Sequence, residues 1–369
     1  MKHMNIPLAL PNVGEEEARA VYDVVKSGLL NEGRKVESFE NNFADFIGTK
    51  YAIAFFNGTV ALHSVLTALN LKSGDEVIVP SFTFISTANS VIFTGAKPVF
   101  ADIDQKTFNI SPVDVNEKIS DKTRAIIPVH YGGQAADMKQ LCEIADDRNL
   151  LVIEDAAEAH GAIYHDQKVG TFGNAGMFSF TPTKNITTGE GGIITTNDEK
   201  LRHRLMLLKN HGQSSQYHHI TLGYNYRMTE MQGAMGIEQL KKLNGIISFK
   251  QNNQEYLSKK LSSGKGLIPP FRPADRNHVY MLYTIKIDEK TTGISRDVFM
   301  QKLQEKGIMT KIYFPPVHMQ PFYRENGYSD VILPITEKIY TSVCSLPCYS
   351  QLTKTELDYM VNVILSLIN

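Results

Sequence analysis

Apolar residues recur at helical spacing early in the chain: Ala18, Val21, Tyr22 and Val25 form one stripe closed by Gly28, and Val36, Phe39, Phe43 and Phe46 form another closed by Gly48. Both stripes predict amphipathic helices, with the stripe as the face a helix normally turns to a core. Short apolar runs then alternate with helical patterns. Tyr51 to Phe55, Glu76 to Val79, Ala125 to Val129 and Leu150 to Ile153 are strand-like, while Leu62, Val65, Leu66 and Leu69, and later Met138, Leu141 and Ile144, keep helical spacing. Strand runs that are apolar on both faces predict an α/β fold, a mostly parallel sheet covered by helices. In such folds ligands collect at the carboxyl ends of the strands.

Past about Leu243 the texture changes to a polar helical stretch, a Gly/Pro-rich break from Ser262 to Pro273, and new strand patterns such as Val279 to Ile287. A helix is expected from about Arg296 to Lys306, stopped by Gly307, followed by the Pro-rich loop Tyr313 to Pro321. The 369 residues therefore divide into a large domain, 12–245, and a smaller C-terminal α+β domain, 246–369, with residues 1–11 packing nearby. No internal repeat or low-complexity tract is present.

Composition narrows the function. Thirty-eight basic against 39 acidic residues leave a net charge of −1, without the basic footprint of a nucleic-acid binder. Three cysteines, Cys142, Cys344 and Cys348, make neither a disulfide framework nor a closed zinc site, and they suit the cytoplasm. The N-terminus lacks a signal-peptide pattern. Residues 77–96 form 20 consecutive uncharged positions, long enough for a membrane span, but Pro80, Gly95 and seven Ser, Thr or Asn residues argue against lipid.

Two segments carry candidate chemistry. In LLVIEDAAEAH, residues 150–160, a buried-looking strand ends in Glu154 and Asp155. In GMFSFTPTKNITTGEGG, residues 176–192, a strand runs into a Pro, Thr and Gly loop around Lys184, 29 residues beyond Asp155. A lone Asp is usually a turn acid and a lone Lys is usually solvated. An Asp and a Lys meeting at strand ends suggest pyridoxal phosphate: the amine condenses with the aldehyde, and the carboxylate keeps the pyridine nitrogen protonated. Gly58 and Thr59 open a helix, where free N–H groups favour an anion such as the cofactor phosphate.

Other residues favour plain roles. His130 and His160 are expected to be structural. His211, His218 and His219 lack metal-ligand spacing, so no metal is expected. Asp102 and Asp104 imitate the Asp-x-Asp of metal-dependent glycosyltransferases, but a turn is the better reading. Met231, Met235 and Ile237 suit core or dimer packing rather than a cofactor box.

The blocks NGTVALH, DEVIVPSFTFISTANSV, GAKPVFADID, AIIPVHYGG, VIEDAAEAHGA, FSFTPTKNITTGEGG, LGYNYRMTEMQ and YFPPVHMQPFY, in this order, resemble the DegT/DnrJ family of nucleotide-sugar aminotransferases. The resemblance runs from about Pro11 to the C-terminus and implies the fold-type I class of pyridoxal-phosphate enzymes, with a seven-stranded-type sheet. It implies Lys184 as the Schiff-base lysine, Asp155 as the pyridinium partner, and Gly58, Thr59 and Ser179 as phosphate ligands. Phe84 would stack on the ring. Asn225 would reach the phosphate of the neighbouring subunit, making a homodimer with shared active sites.

By the same resemblance Glu158 would stand near the ring hydroxyl, where many relatives have Gln or His, and a carboxylate beside a phenolate-like oxygen is repulsive unless one is protonated. Tyr313 and His318 are candidate sugar-nucleotide contacts. The implied reaction moves an amino group from L-glutamate to a nucleotide-linked ketosugar. TTGEGG with YNYRMTE looks more like makers of 4-amino-4,6-dideoxy sugars, whereas relatives that aminate the 3-position often carry GDGG and YNSRLDELQ. The alternatives are a 3-keto sugar aminotransferase, a dehydratase using the same cofactor, against which Lys184 speaks, and a non-catalytic scaffold on the same fold.

Overall fold

The computed structural model describes residues 4–368. Seven strands form the central sheet: β1 Tyr51–Phe55, β2 Glu76–Pro80, β3 Lys97–Ala101, β4 Thr123–Ile126, β5 Leu151–Asp155, β6 Ala175–Ser179 and β7 Gly192–Thr196. Their order is β1-β7-β6-β5-β4-β2-β3, and only β7 runs antiparallel to its neighbours. The fold is thus α/β with a mostly parallel sheet, as the run pattern predicts, and the sheet has seven strands, as the family resemblance implies.

Period-two alternation feeds two cores, one on each face of the sheet. Ile78, Ile126, Val152 and Phe178 join helix α2, Arg34–Ile47, through Val36, Phe39 and Phe43. Val77, Val79, Ile153 and Met177 join helix α3, Gly58–Ala68, through Leu62, Val65 and Leu66. The uncharged stretch 77–96 is spent on β2 and the short helix α4, Ser86–Phe93, and no described helix is long and apolar enough to cross a membrane.

The first helix, α1 Glu15–Ser27, forms where expected but turns the other way. Its buried residues are Glu17 and Val24, while Tyr22 and Val25 of the apolar stripe are more than half exposed. Glu17 fixes this rotation, accepting the Gly14 N–H at 2.7 Å and the Gln239 side-chain N–H at 2.8 Å and pairing with Lys242 at 2.8 Å. Gln239 and Lys242 lie on a 32-residue helix, Glu230–Leu261, so α1 docks through a polar face and leaves its stripe at the surface.

The expected division at 245 and 246 falls inside that long helix. Its Leu243, Ile246 and Ile247 pack into the sheet's core, and its Leu257 and Leu261 pack into a second body. This body holds a three-stranded antiparallel sheet of Leu267–Ile268, Tyr283–Ile287 and Val343–Leu346, with helices Arg296–Glu305 and Lys354–Ser366. The two bodies interleave. Ile6 packs into the smaller core, whereas Val317, Tyr323, Tyr328 and Leu333 return to the core of the large sheet.

The strand expected from Val279 begins only at Tyr283. The N–H groups of Val279 and Leu282 are committed instead to the carbonyls of Gly133 and Gly132, each at 3.0 Å. Gly132 and Gly133 have φ of 62° and 94°, and a Cβ on Gly133 would lie 2.8 Å from Val279 Cγ2, so this crossing requires glycine.

Candidate active site

At the carboxyl ends of the parallel strands lies a cavity of about 480 Å³. Gly58, Thr59, Phe84, Asp155, Glu158, Ser179, Lys184 and Tyr313 all line it. Strand alternation sorts the two acids that close β5. Glu154 points away and accepts N–H groups from Gly170 at 2.7 Å, Phe172 at 2.8 Å and Gly173 at 3.0 Å, so it anchors a loop. Asp155 faces the cavity.

Asp155 accepts the Thr87 hydroxyl at 2.7 Å and the Ala157 N–H at 3.2 Å, and Thr87 in turn meets Thr83 at 2.9 Å. Burial pushes its pKa above the ordinary aspartate value, against the Thr87 and Ala157 hydrogen bonds and the Lys184 charge, and the Glu158 charge adds to the rise. No cation lies within ion-pair distance of this carboxylate among the described residues. Lys184 instead lies 3.3 Å from Glu158 Oε1, while Glu158 Oε2 accepts the Gly132 N–H at 2.8 Å. The Glu158 carboxylate therefore has a positive partner and a dipolar one.

The third feature is the N-terminus of α3. Asn57 caps it, its side-chain oxygen accepting the Val60 N–H at 3.0 Å while its carbonyl takes the Ala61 N–H at 3.1 Å. Gly58 and Thr59 are left at the helix start, where N–H groups have no intrahelical acceptor. The Thr59 hydroxyl lies 2.8 Å from that of Ser86, and a Cβ on Gly58 would come within 3.1 Å of Ser179 Cβ. Helix start and hydroxyls make a cradle for an oxyanion. Phe84 sits half exposed at the mouth, its ring 5.9 Å from that of Phe314.

Two of the expected residues lie apart. Asn225 is exposed and outside the cavity of its own chain, between Tyr224 and Tyr226 in sequence, whose rings stack on each other at 4.6 Å. His318 is buried away from the lining, its Nδ1 2.6 Å from Ser81 Oγ and its backbone N–H donating to the same oxygen. Residues missed from sequence are Thr83, Ser86, Thr87, Glu190, Met281, Lys311 and Phe314. The hydroxyl-rich run SFTFISTANSV was the signal for the first three.

His130 is structural, pairing with Glu154 at 3.0 Å and accepting the Ala136 N–H at 3.0 Å. His160 is boxed by Phe43, Phe178 and Phe180 and stays neutral, because burial drives its pKa down to about 3. Asp102 accepts the N–H groups of Ile335 and Thr336 and thereby caps a helix, and Asp104 closes a turn on Lys106 and Thr107. His211, His218 and His219 lie in and beside an exposed hairpin. No group of three or more His, Cys, Asp or Glu placed to hold a metal occurs among the described residues.

Residues 11–365 match the DegT/DnrJ/EryC1/StrS aminotransferase family. The chain belongs to that family. Among its relatives, the spore coat polysaccharide biosynthesis protein SpsC of Bacillus subtilis is 38% identical over 97% of this chain and 96% of its own. GDP-perosamine synthase of Caulobacter vibrioides is 39% identical over 96% of each chain. The crystal structure of S. venezuelae DesV in complex with a ketimine intermediate superposes with a TM-score of 0.91 at 33% identity, covering 96% of this chain and 94% of that one. The protein is a sugar aminotransferase of the DegT/DnrJ/EryC1/StrS family, and that membership implies dependence on pyridoxal phosphate.

Proposed function

We propose that this aminotransferase uses pyridoxal 5'-phosphate to move an amino group from L-glutamate to a nucleotide-linked 4-keto-6-deoxyhexose, giving a 4-amino-4,6-dideoxy sugar nucleotide. The observation that carries the reading is the convergence of Asp155 and Lys184 on one cavity beside the start of α3. The residues suit the cofactor. Asp155 is a buried acid without a cation partner among the described residues, as a protonated pyridine nitrogen requires, and Gly58, Thr59 and Ser179 offer an anion cradle in the same cavity. When bound, pyridoxal phosphate supplies an aldehyde that amines condense with and a ring that accepts electron density from the adjoining carbon.

The chain's own residues then divide the work. Lys184 Nζ would hold the cofactor through its aldehyde, and as a free amine would take the proton from the donor's α-carbon and deliver it in turn. Glu158, 3.3 Å from that amine, would hold it near the aldehyde, Asp155 would keep the proton on the ring nitrogen, and Phe84 at the mouth would supply a surface for the ring to stack on. Tyr313 lines the path of the sugar. Both halves use one site, so the kinetics are ping-pong.

Two chains complete each site in this reading. Asn225 faces outward beside Tyr217 and Leu222, and these, with Tyr22, Val25, Leu29 and Phe249, are apolar or aromatic residues more than half exposed on the single chain. Such exposure suits a homodimer in which Asn225 enters the neighbour's cavity. The place of action is the cytoplasm.

The relative named GDP-perosamine synthase favours amination at C4. A panel of UDP-, GDP- and dTDP-linked 4-keto and 3-keto sugars with L-glutamate, read by mass spectrometry, tests it. Exchange of oxygen for an amine at C4 is expected. Gain at C3 overturns the position, and no gain on any sugar overturns the substrate class.

A separate expectation concerns the uncompensated acid. In cofactor-free protein the Asp155→Asn variant should be more stable than wild type by about 1 kcal/mol at pH 7. An amide fits the same bonds, its oxygen accepting from Ala157 and its NH2 donating to Thr87, which can pass its own proton to Thr83. Because the folded pKa lies above the unfolded one, ionisation of Asp155 opposes folding. The gain should therefore vanish below about pH 4 and grow as pH rises through the folded pKa. Urea melts at several pH values check it; a variant less stable than wild type at every pH refutes it.

A further inference from the structure

The charged side chains lining the cavity are Asp155, Glu158, Glu190, Lys184 and Lys311. Three acids face two bases, and Lys184 is already committed, lying 3.3 Å from Glu158. A cavity so biased repels a polyanion unless one cation remains free to meet it. Lys311 is that cation. No carboxylate lies within 4.0 Å of its amine among the described residues, and the Nζ sits 5.2 Å from the centroid of the Tyr313 ring.

The backbone at this point is fixed rather than loose. The Lys311 N–H donates to the Ser345 carbonyl at 3.3 Å and the Ser345 N–H to the Lys311 carbonyl at 2.8 Å, tying the segment to the small sheet. Two residues on, the carbonyl of buried Tyr313 accepts a hydrogen bond from the Tyr131 hydroxyl. The Tyr313 phenol feels the charge of Glu158, which adds to the effect of burial in raising its pKa. Glu158 and Tyr313 are buried, Lys184 is partly buried, and Lys311 is exposed, so among these lining residues Lys311 is the one that meets solvent. A hexose whose keto carbon reached Lys184 would leave the group on its anomeric carbon to extend toward solvent, the side on which Lys311 is exposed.

We propose that Lys311 is a specificity-determining residue that binds the diphosphate of the nucleotide-linked sugar and has no part in binding the amino donor. The inference rests on the nucleotide-sugar reading above and adds to it the residue that reads the diphosphate. The α-carboxylate of an amino acid lies one bond from the reacting carbon and so stays at the floor, out of reach of a rim cation.

The test compares wild-type holoenzyme with Lys311→Gln and Lys311→Arg. Isothermal titration with UDP, GDP and dTDP finds the nucleotide that wild type prefers. Lys311→Gln is expected to bind it about tenfold more weakly, with a shallower dependence on salt, while Lys311→Arg keeps most of the affinity. The L-glutamate concentration that half-converts the bound cofactor, followed by its absorbance, should move by less than about twofold in either variant. Equal nucleotide affinity and salt dependence in wild type and Lys311→Gln overturns the inference alone. A shift in the glutamate dependence with unchanged nucleotide binding assigns the cation to the donor's carboxylate and also overturns it. Wild-type holoenzyme that binds none of the three nucleotides removes the nucleotide-sugar reading, and the inference falls with it.

Discussion

Replacing Lys184 by alanine is expected to slow transamination by at least about 10⁴-fold while leaving the fold in place. The side chain is largely buried and its amine makes one hydrogen bond, to Glu158, so its removal takes nothing else from the structure that a water cannot supply. In the proposed mechanism the variant loses both the anchoring amine and the base that moves the proton, and the two losses fall on the same turnover. Borohydride treatment of wild-type holoenzyme should leave the cofactor's mass on the peptide containing residue 184, and the Lys184→Ala protein should carry none. Turnover above about one per cent of wild type in that variant would remove the assignment.

The largest stability effect is expected away from the cavity, at Lys209. Its ammonium is fully buried, pairs with Glu40 at 3.0 Å and also with Glu32, and reaches toward the Ala54 carbonyl at 3.4 Å. Burial alone would lower its pKa, but attraction to Glu40 and Glu32, with their hydrogen bonds, holds the value above that of an ordinary lysine. Lys209→Met leaves two carboxylates facing each other without a counterion and should cost about 3 to 5 kcal/mol in urea melts.

Adding Glu32→Gln and Glu40→Gln to Lys209→Met should recover most of that loss. Because the folded pKa is raised, the lysine's contribution holds from neutral pH up to about pH 10.4, the unfolded lysine value, and fades as pH climbs through the higher folded one; at the acid end it is lost when Glu40, whose own pKa burial raises, takes up a proton. A variant within about 1 kcal/mol of wild type would show that the cluster contributes little.

Legibility in the sequence followed the range of the interactions. Strands and their burial were readable because Val77, Ile78 and Val79 carry their environment in their own chemistry. The meeting of Asp155 and Lys184 at one cavity was legible because Asp155 closes one strand pattern and Lys184 lies in the loop that follows another, and strand ends are where such sheets place ligands. Thr87 was not, since a threonine in a hydroxyl-rich helix start gives no sign that its partner lies 68 residues away.

The rotation of α1 depends on Glu17 finding Gln239 and Lys242, more than 220 residues distant, which no local stripe can report. Tyr313 and His318 share one loop and separate in space because the short helical turn Val317–Met319 drops His318 onto Ser81. Lys209 finds its partners Glu32 and Glu40 far away in the chain, Glu40 lying 169 residues off, which no neighbouring residue reports.

The interleaving of the two bodies restricts how such a protein can be inherited. Since the smaller core needs Ile6 and the larger one needs Val317 to Leu333, no single cut in the gene releases either body with its interior complete. Exchange of whole domains between relatives would yield chains with holes in both cores. New sugar preferences must then arise by point changes and loop alterations on an undivided scaffold, and hybrid enzymes should be built by grafting short segments at the cavity mouth.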